Sequence, residues 1–177
     1  MRQRNQALGT AAICDRYPDA LYLPGIHSLS GLGFTRPIAR VVIPASAKAT
    51  EVNEAILAAI KQSPDKVVFI DTGGRVDAAV LDHSHCLTAV ENNCLGFVVN
   101  GVLRGDPQHM EGVKTLVLAA LGRCPKPWVP SPDELYEDFV ELDARDVMRC
   151  DHDGLVAITR AQALTIGSSF FRPADPN

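Results

Sequence analysis

Paired cysteines are missing from this chain: its five cysteines, at 14, 86, 94, 124 and 150, are odd in number and form no CxxC motif. That argues against a disulfide framework and fits reduced thiols in the cytoplasm. Basic charge is not in excess either. A net charge of -4 and a pI near 5.7 speak against a general nucleic-acid or membrane-surface role. No apolar run approaches transmembrane length, and the opening MRQRNQALGTAAICD has no signal-peptide core. There is no internal repeat, no Walker Lys-Ser/Thr and no Gly-x-Gly-x-x-Gly. These absences leave one acidic, soluble α/β domain over residues 1–177, long enough to bury a core.

What is present centres on residues 67–106. Val67-Val68-Phe69-Ile70 ends at Asp71-Thr72-Gly73-Gly74, and Gly96-Phe97-Val98-Val99 ends at Asn100-Gly101 before Val102-Leu103-Arg104-Gly105-Asp106. Short continuous apolar runs of this kind suit strands buried on both faces. Between them Ala78, Ala79, Leu81, Leu87, Ala89 and Val90 offer the stripe of an amphipathic helix. Polar turns after strand ends are where α/β proteins place ligands, so the site is sought there.

Around this unit, Thr10 suits an N-cap for a short helix, and residues 21–37 suit a turn-rich loop. Residues 38–43 suit a strand stopped by Pro44. TEVNEAILAAIK (50–61) is the clearest helix, with Thr50 facing Asn53 or Glu54 in an imperfect capping signal. Residues 113–121 are apolar enough for a buried helix or strand. Four prolines within 124–132 predict an extended surface arm, with Trp128 packed against a neighbouring subunit or exposed for docking. An edge strand is expected over 139–142. A hairpin is expected over 147–159, with Asp151 and Asp153 shaping an Asp153-Gly154 turn. A helix then starts at Arg160, and the C-terminal tail frays.

Four separated pieces resemble the RraA-like family, which includes the regulators of ribonuclease activity, the 4-hydroxy-4-methyl-2-oxoglutarate aldolases and the oxaloacetate decarboxylases. LGTAAICD (8–15) looks like the Thr-Ala-x-x-Ser/Cys-Asp opening. VVFIDTGG (67–74) looks like the Val-x-Val-Asp-x-x-Gly strand and turn. LGFVVNGVLR (95–104) is similar to the Gly-x-Val-x-x-Gly-x-x-Arg signature. DVMRCDHDGLVAI (146–158) resembles the Gly-Asp-x-x-x-x-Asp-x-x-Gly-Val hairpin, with Arg145 in place of the usual Gly. The resemblance implies a swivelling β/β/α fold of the phosphohistidine-domain type. It also implies a homotrimer, sometimes doubled to a hexamer, with sites at subunit interfaces.

In the aldolase branch the signature Arg, here Arg104, holds a 2-oxo acid carboxylate. The Asp after it binds Mg²⁺ or Mn²⁺, but here that position is Gly105, which has no ligand atom. Asp106 substitutes only if the loop shifts. The acidic residue after the preceding Gly contacts metal-bound water, and here Asp82-His83 replaces that Gly-Asp/Glu pair. The inherited divalent-metal site is therefore expected to be lost, and no cofactor is expected. The regulator branch also lacks an Asp after the Arg.

Asp82, His83 and Asp106 are the catalytic candidates, with His83 as a general acid–base of near-neutral pKa. Arg104 is the carboxylate anchor. Ser84, His85, Gly101, Gly73 and Gly74 are further substrate-binding candidates, the glycine turn offering backbone amides assisted by Arg75. Asp106 and His83 are also candidate ligands of a borderline metal. His83 and His85 diverge by roughly 200° on a helix and share an ion only in an extended loop. The cysteines suit small core residues. The leading function is a divergent lyase, decarboxylase or proton-transfer enzyme on a small 2-oxo acid or carboxylate. A site remade for a biosynthetic step is one variant of it. The alternative is a non-catalytic trimer that binds and inhibits a ribonuclease or other protein.

Overall fold

The valine- and isoleucine-rich runs form the middle of one eight-stranded sheet. The computed structural model describes residues 8–132 and 138–166. Its strands are β1 (Leu21–Tyr22), β2 (His27–Ser28), β3 (Phe34–Val42), β4 (Val67–Arg75), β5 (Gly96–Leu103), β6 (Val117–Arg123), β7 (Val147–Asp151) and β8 (Gly154–Ile158). The spatial order is β1-β8-β7-β3-β4-β5-β6-β2. β3 through β6 run parallel, whereas β7, β8 and the two short strands join antiparallel. Four helices accompany them: α1 (Thr10–Arg16), α2 (Ala49–Lys61), α3 (His83–Glu91) and α4 (Arg160–Ile166).

The sheet curls, because the chain crosses from one edge to the other in a few residues. β1 lies at one edge and β2 at the other, and only residues 23–26 join them. Eight flat strands would span about 34 Å, but the five steps from Tyr22 to His27 reach at most about 18 Å. Curling makes an inside and an outside, and strand alternation assigns each residue to one of them. Val67, Phe69 and Val98 point inward to meet Leu23, Ile26 and Met148. Val68, Ile70, Phe97 and Val99 point outward beneath Ile56 and Ile60 of α2 and Cys86 and Ala89 of α3. A third cluster seats Ile13 of α1 and Ala163 of α4 on β7 and β8.

The doubly buried strands and the hairpin occur as the sequence predicts, but the hairpin turn is His152-Asp153, since Gly154 already pairs with Asp151; the Asp153 amide donates to Asp151 Oδ1 there. Residues 113–121 resolve into a loop and the start of β6. Several expectations are corrected. The helix drawn over 78–90 begins only at His83: Ala78, Ala79, Val80 and Leu81 are all buried in an extended segment bridged to Leu103 and Pro127. Thr10 is the first helical residue rather than the N-cap, and its amide donates to Asp151 Oδ2. Helix α2 starts at Ala49, capped when Glu51 accepts the Lys48 amide, so Thr50 does not cap it.

Residues 21–37 contain two short strands and the first residues of β3. Residues 139–142 are irregular instead of an edge strand. The proline-rich arm lies on the surface with its four prolines exposed, but Cys124 and Trp128 turn inward and are buried. Trp128 docks on its own subunit, donating Nε1–H to the Ala47 carbonyl at 2.9 Å. The acidic stretch 133–137 and the C-terminal tail lie outside the described residues.

Candidate functional site

The site begins with a helix cap. Asp82 closes the first turn of α3, its Oδ1 accepting the Ser84 amide (3.0 Å), the Ser84 hydroxyl (2.6 Å) and the His85 amide (3.3 Å). The His85 ring adds Nδ1 at 2.9 Å. Burial pushes the Asp82 carboxyl up, but the Ser84 hydroxyl, the His85 charge and these hydrogen bonds outweigh it and hold the group below the usual carboxylate range. Asp82 is therefore a carboxylate at neutral pH. All these bonds fall on Oδ1, and among the described residues nothing occupies Oδ2.

Arg104 sits opposite, just past the end of β5. Its amide donates to the Leu81 carbonyl at 2.7 Å, which fixes the strand end beside the cap. Its side chain is exposed and, among the described residues, makes no hydrogen bond or ion pair, not even with Asp82. A guanidinium without a carboxylate partner among the described residues keeps its two-pronged donor set for a ligand. Asp82, His83, Ser84, Arg104 and Asp106 line one cleft of about 430 Å³, completed by Gly105, His109 and Met110.

His83 is oriented by a bond that settles its tautomer. Its Nε2 lies 2.8 Å from the Glu111 carbonyl oxygen, which only accepts, so Nε2 carries the hydrogen. The neutral ring then presents Nδ1 as a base. His85, two residues on, turns away: Nδ1 meets Asp82, Nε2 meets Asn53 Oδ1 at 3.0 Å, and the residue is buried. It is a support for the cap and no contact of the main cleft, and the two histidines do not share an ion.

Asp106 is nearby but committed. Its Oδ2 pairs with Arg123 and lies 3.4 Å from His109, and its Oδ1 accepts the Gln108 amide at 3.1 Å, capping the short 3₁₀ turn Pro107–His109. That bond, ahead of the opposing effect of burial and of Arg123, holds its carboxyl below the ordinary range. The residues present do not fit a hard divalent ion, which takes near-octahedral oxygen ligands. Gly105 offers no ligand atom, Asp106 is held by Arg123, and Asp82 has one free oxygen. Gly105 also adopts φ +91°, and a Cβ there would come 2.9 Å from Met110 Cε, so the loop has settled around glycine. Among the described residues, Asp151, His152 and Asp153 are the grouping with metal-ligand spacing, and none lines this cleft.

The glycine candidates do not join Arg104. Gly101 is buried within β5, where a Cβ would stand 2.3 Å from Thr72 Oγ1. Gly73 and Gly74 belong to β4, and Gly74 lines a different cleft of about 580 Å³ with Asn100, Phe139 and Arg145. That cleft is larger, but its arginine is spent: Arg145 donates to the Asp19 carbonyl and to Asp143. Arg75 is no anion ligand either. It is buried, paired with Asp77 at 2.7 Å, and its guanidinium lies 4.4 Å from the Trp128 ring centre. The cysteines behave as core residues. Burial pushes Cys86 up to about 12 and Cys150 up to about 11, which suppresses the thiolate.

Sequence reading missed two features. One is a buried knot around Asp71, which accepts from Arg40 (2.9 Å), Asn100 Nδ2 (2.8 Å), the Val140 amide (2.8 Å) and the Gly73 amide (3.3 Å). The acid ending a doubly apolar strand was its signal. The other is a second recess of about 180 Å³ behind Arg104, walled by Trp128, Pro127 and Val52. No local motif announces it.

A family model described as RraA-like, Aldolase/RraA, matches residues 10–157. No curated protein sequence matches the chain significantly. Among solved structures, the Streptomyces coelicolor RraAS2, an unusual member of the RNase ES inhibitor RraA protein family, is similar with a TM-score of 0.69 and 20% identity. That match covers 95% of this chain and 89% of that one. The RNA-processing inhibitor RraA from Thermus thermophilis gives 0.64 and 21%, covering 86% and 93%. A structure described as S-adenosylmethionine:2-dimethylmenaquinone methyltransferase from Geobacillus kaustophilus gives 0.61 and 22%, covering 86% and 95%. At such identities the likeness is one of fold. No helix among the described residues is long and apolar enough to cross a membrane.

Proposed function

The chain belongs to the RraA-like family, and from that premise we propose that it is a divergent lyase or proton-transfer enzyme acting on a small 2-oxo acid or carboxylate. The observation that carries this reading is the guanidinium of Arg104, unpaired among the described residues and open in a cleft that also holds an ionised Asp82 and an oriented His83. Arg104 holds the substrate carboxylate. His83 Nδ1 takes a proton from the reacting hydroxyl or carbon. As a C–C bond breaks, its electron pair stays on the 2-oxo acid fragment as an enolate, which the Arg104 cation faces. The imidazolium then returns the proton to carbon. Asp82 remains a carboxylate in the same cleft. No step runs through a metal, because the donor set around Gly105 and Asp106 is unsuited to one.

The test is binding of pyruvate and oxalate to wild type and to Arg104→Ala by calorimetry, with oxaloacetate turnover assayed in Mg²⁺, Mn²⁺ and EDTA. A charge-assisted pair of about 1.5–3 kcal/mol predicts a loss of roughly ten- to hundredfold in affinity. Equal affinity in the variant overturns the anchor. Turnover that needs metal overturns the donor-set argument.

A second reading, a non-catalytic regulator that binds a ribonuclease or other protein, is favoured by one residue: glycine at 105 removes the carboxylate that follows the arginine. An assembly of three copies with clefts at the subunit interfaces belongs to both readings and is checked by light scattering.

A further inference from the structure

The recess behind Arg104 carries an inference about what the substrate looks like, and it rests on the carboxylate reading above. Asp82 and Arg104 line both the main cleft and the recess, so the two spaces share a charged mouth. Past that mouth the walls are apolar: the Trp128 ring, Pro127, Val52, Ala49, Ala79 and Leu81. The two other polar residues there, Asn53 and His85, bond to each other at 3.0 Å, and the remaining His85 nitrogen faces Asp82. Asn53 Oδ1 and both His85 nitrogens are thereby engaged. The Trp128 ring is held in place by its bond to the Ala47 carbonyl, and Arg75 lies against it without lining the recess. A rigid aromatic wall of this kind favours a fixed apolar occupant.

We infer that the recess is a specificity pocket. It receives a short apolar substituent, a branched four-carbon chain or a phenyl ring, on a 2-oxo acid whose carboxylate rests on Arg104. Size agrees with this. An apolar cavity of about 150 Å³ takes benzene, and the recess measures about 180 Å³. Unsubstituted pyruvate fills only the mouth. A substrate with a second carboxylate in place of the apolar group is disfavoured, because Arg104 is taken by the first carboxylate and the Asp82 carboxylate shares the mouth.

Calorimetry with pyruvate, 2-oxobutanoate, 4-methyl-2-oxopentanoate and phenylpyruvate reads the prediction in the wild-type protein. Burial of each CH₂ is worth about fourfold in affinity, so 4-methyl-2-oxopentanoate should bind at least about tenfold tighter than pyruvate. Trp128 is the chain's one tryptophan, and its emission should move with 4-methyl-2-oxopentanoate and not with pyruvate. Ala49→Leu, at the exposed first residue of α2, should erase the preference while leaving pyruvate affinity within about twofold. Equal affinity for all four acids, a silent Trp128, or an unchanged preference in Ala49→Leu overturns the pocket. In those cases pyruvate binding that Arg104→Ala weakens roughly ten- to hundredfold leaves the anchor standing. If none of the acids binds wild type, anchor and pocket fall together.

Discussion

Two polar strand ends a few residues from glycines meet opposite fates in this molecule. Asp71, at the end of the apolar run in β4, is fully buried and accepts from Arg40, Asn100 and two backbone amides. Arg104, past the end of β5, is exposed and bonds no side chain among the described residues. One charge is spent on holding three segments together; the other is left unspent. Buried charges persist only when satisfied, whereas a solvated cation keeps most of its interaction capacity for a ligand. The contrast separates framework from site better than residue type does, since both motifs read alike as polar turns after strands.

The comparison breaks most visibly at Asp71. Asp71→Ala strips a buried partner from Arg40, Asn100 and the Val140 amide, and should cost about 3–5 kcal/mol, seen as a lower urea midpoint. Gly101→Ala comes next: its Cβ would press on Thr72 Oγ1 and, at 3.1 Å, on the Arg75 carbonyl. Overpacking there should cost about 1–3 kcal/mol, with no specific loss at Arg104 once the protein is folded. Asp82→Ala removes the cap of α3 and should cost about 1 kcal/mol, while Asp82→Asn keeps the cap and removes only charge. Arg104→Ala should leave stability within about 0.5 kcal/mol yet weaken carboxylate binding roughly ten- to hundredfold. A large drop in its urea midpoint would place Arg104 with the framework after all.

The smallest effect is one of pH. The Asp82 carboxyl lies below its unfolded value, so its stabilising contribution is complete above about pH 4 and fades as pH falls through the folded-state value. The difference in urea midpoint between wild type and Asp82→Asn should be flat from pH 7 to about 4.5 and should close below it.

Much of the frame was legible because it depends on local pattern. Val67–Ile70 and Gly96–Val99 read as doubly buried strands, the hairpin over 147–159 to within one residue at its turn, and Val52, Ile56 and Ile60 as a helix face. What escaped depends on partners distant in sequence. Ala78–Leu81 mimicked a helical stripe because its four consecutive residues are buried on every side, which apolar spacing alone does not distinguish. Phe139–Leu142 has strand composition, yet the Val140 amide goes to the Asp71 carboxylate instead of to a neighbouring strand. The prolines around Trp128 suggested exposure, but the ring is claimed by Ala47 and Arg75. At the site, Asp82, His83, Ser84 and Arg104 line one cleft, as the family resemblance implied. The pairing of Asp106 with Arg123, and of His85 with Asn53, needed the tertiary arrangement.

The chain's crossing from β1 to β2 also has a consequence for how the molecule is made. Leu21 pairs with Ala157, and His27 with Ala120, so β1 and β2 are synthesised well before the strands they pair with. Until β8 emerges, β1 has no partner, and the curled sheet stays open along one seam. Such long-range pairings lift contact order and slow folding. They also leave strand edges uncovered meanwhile, a hazard that two-residue strands keep small.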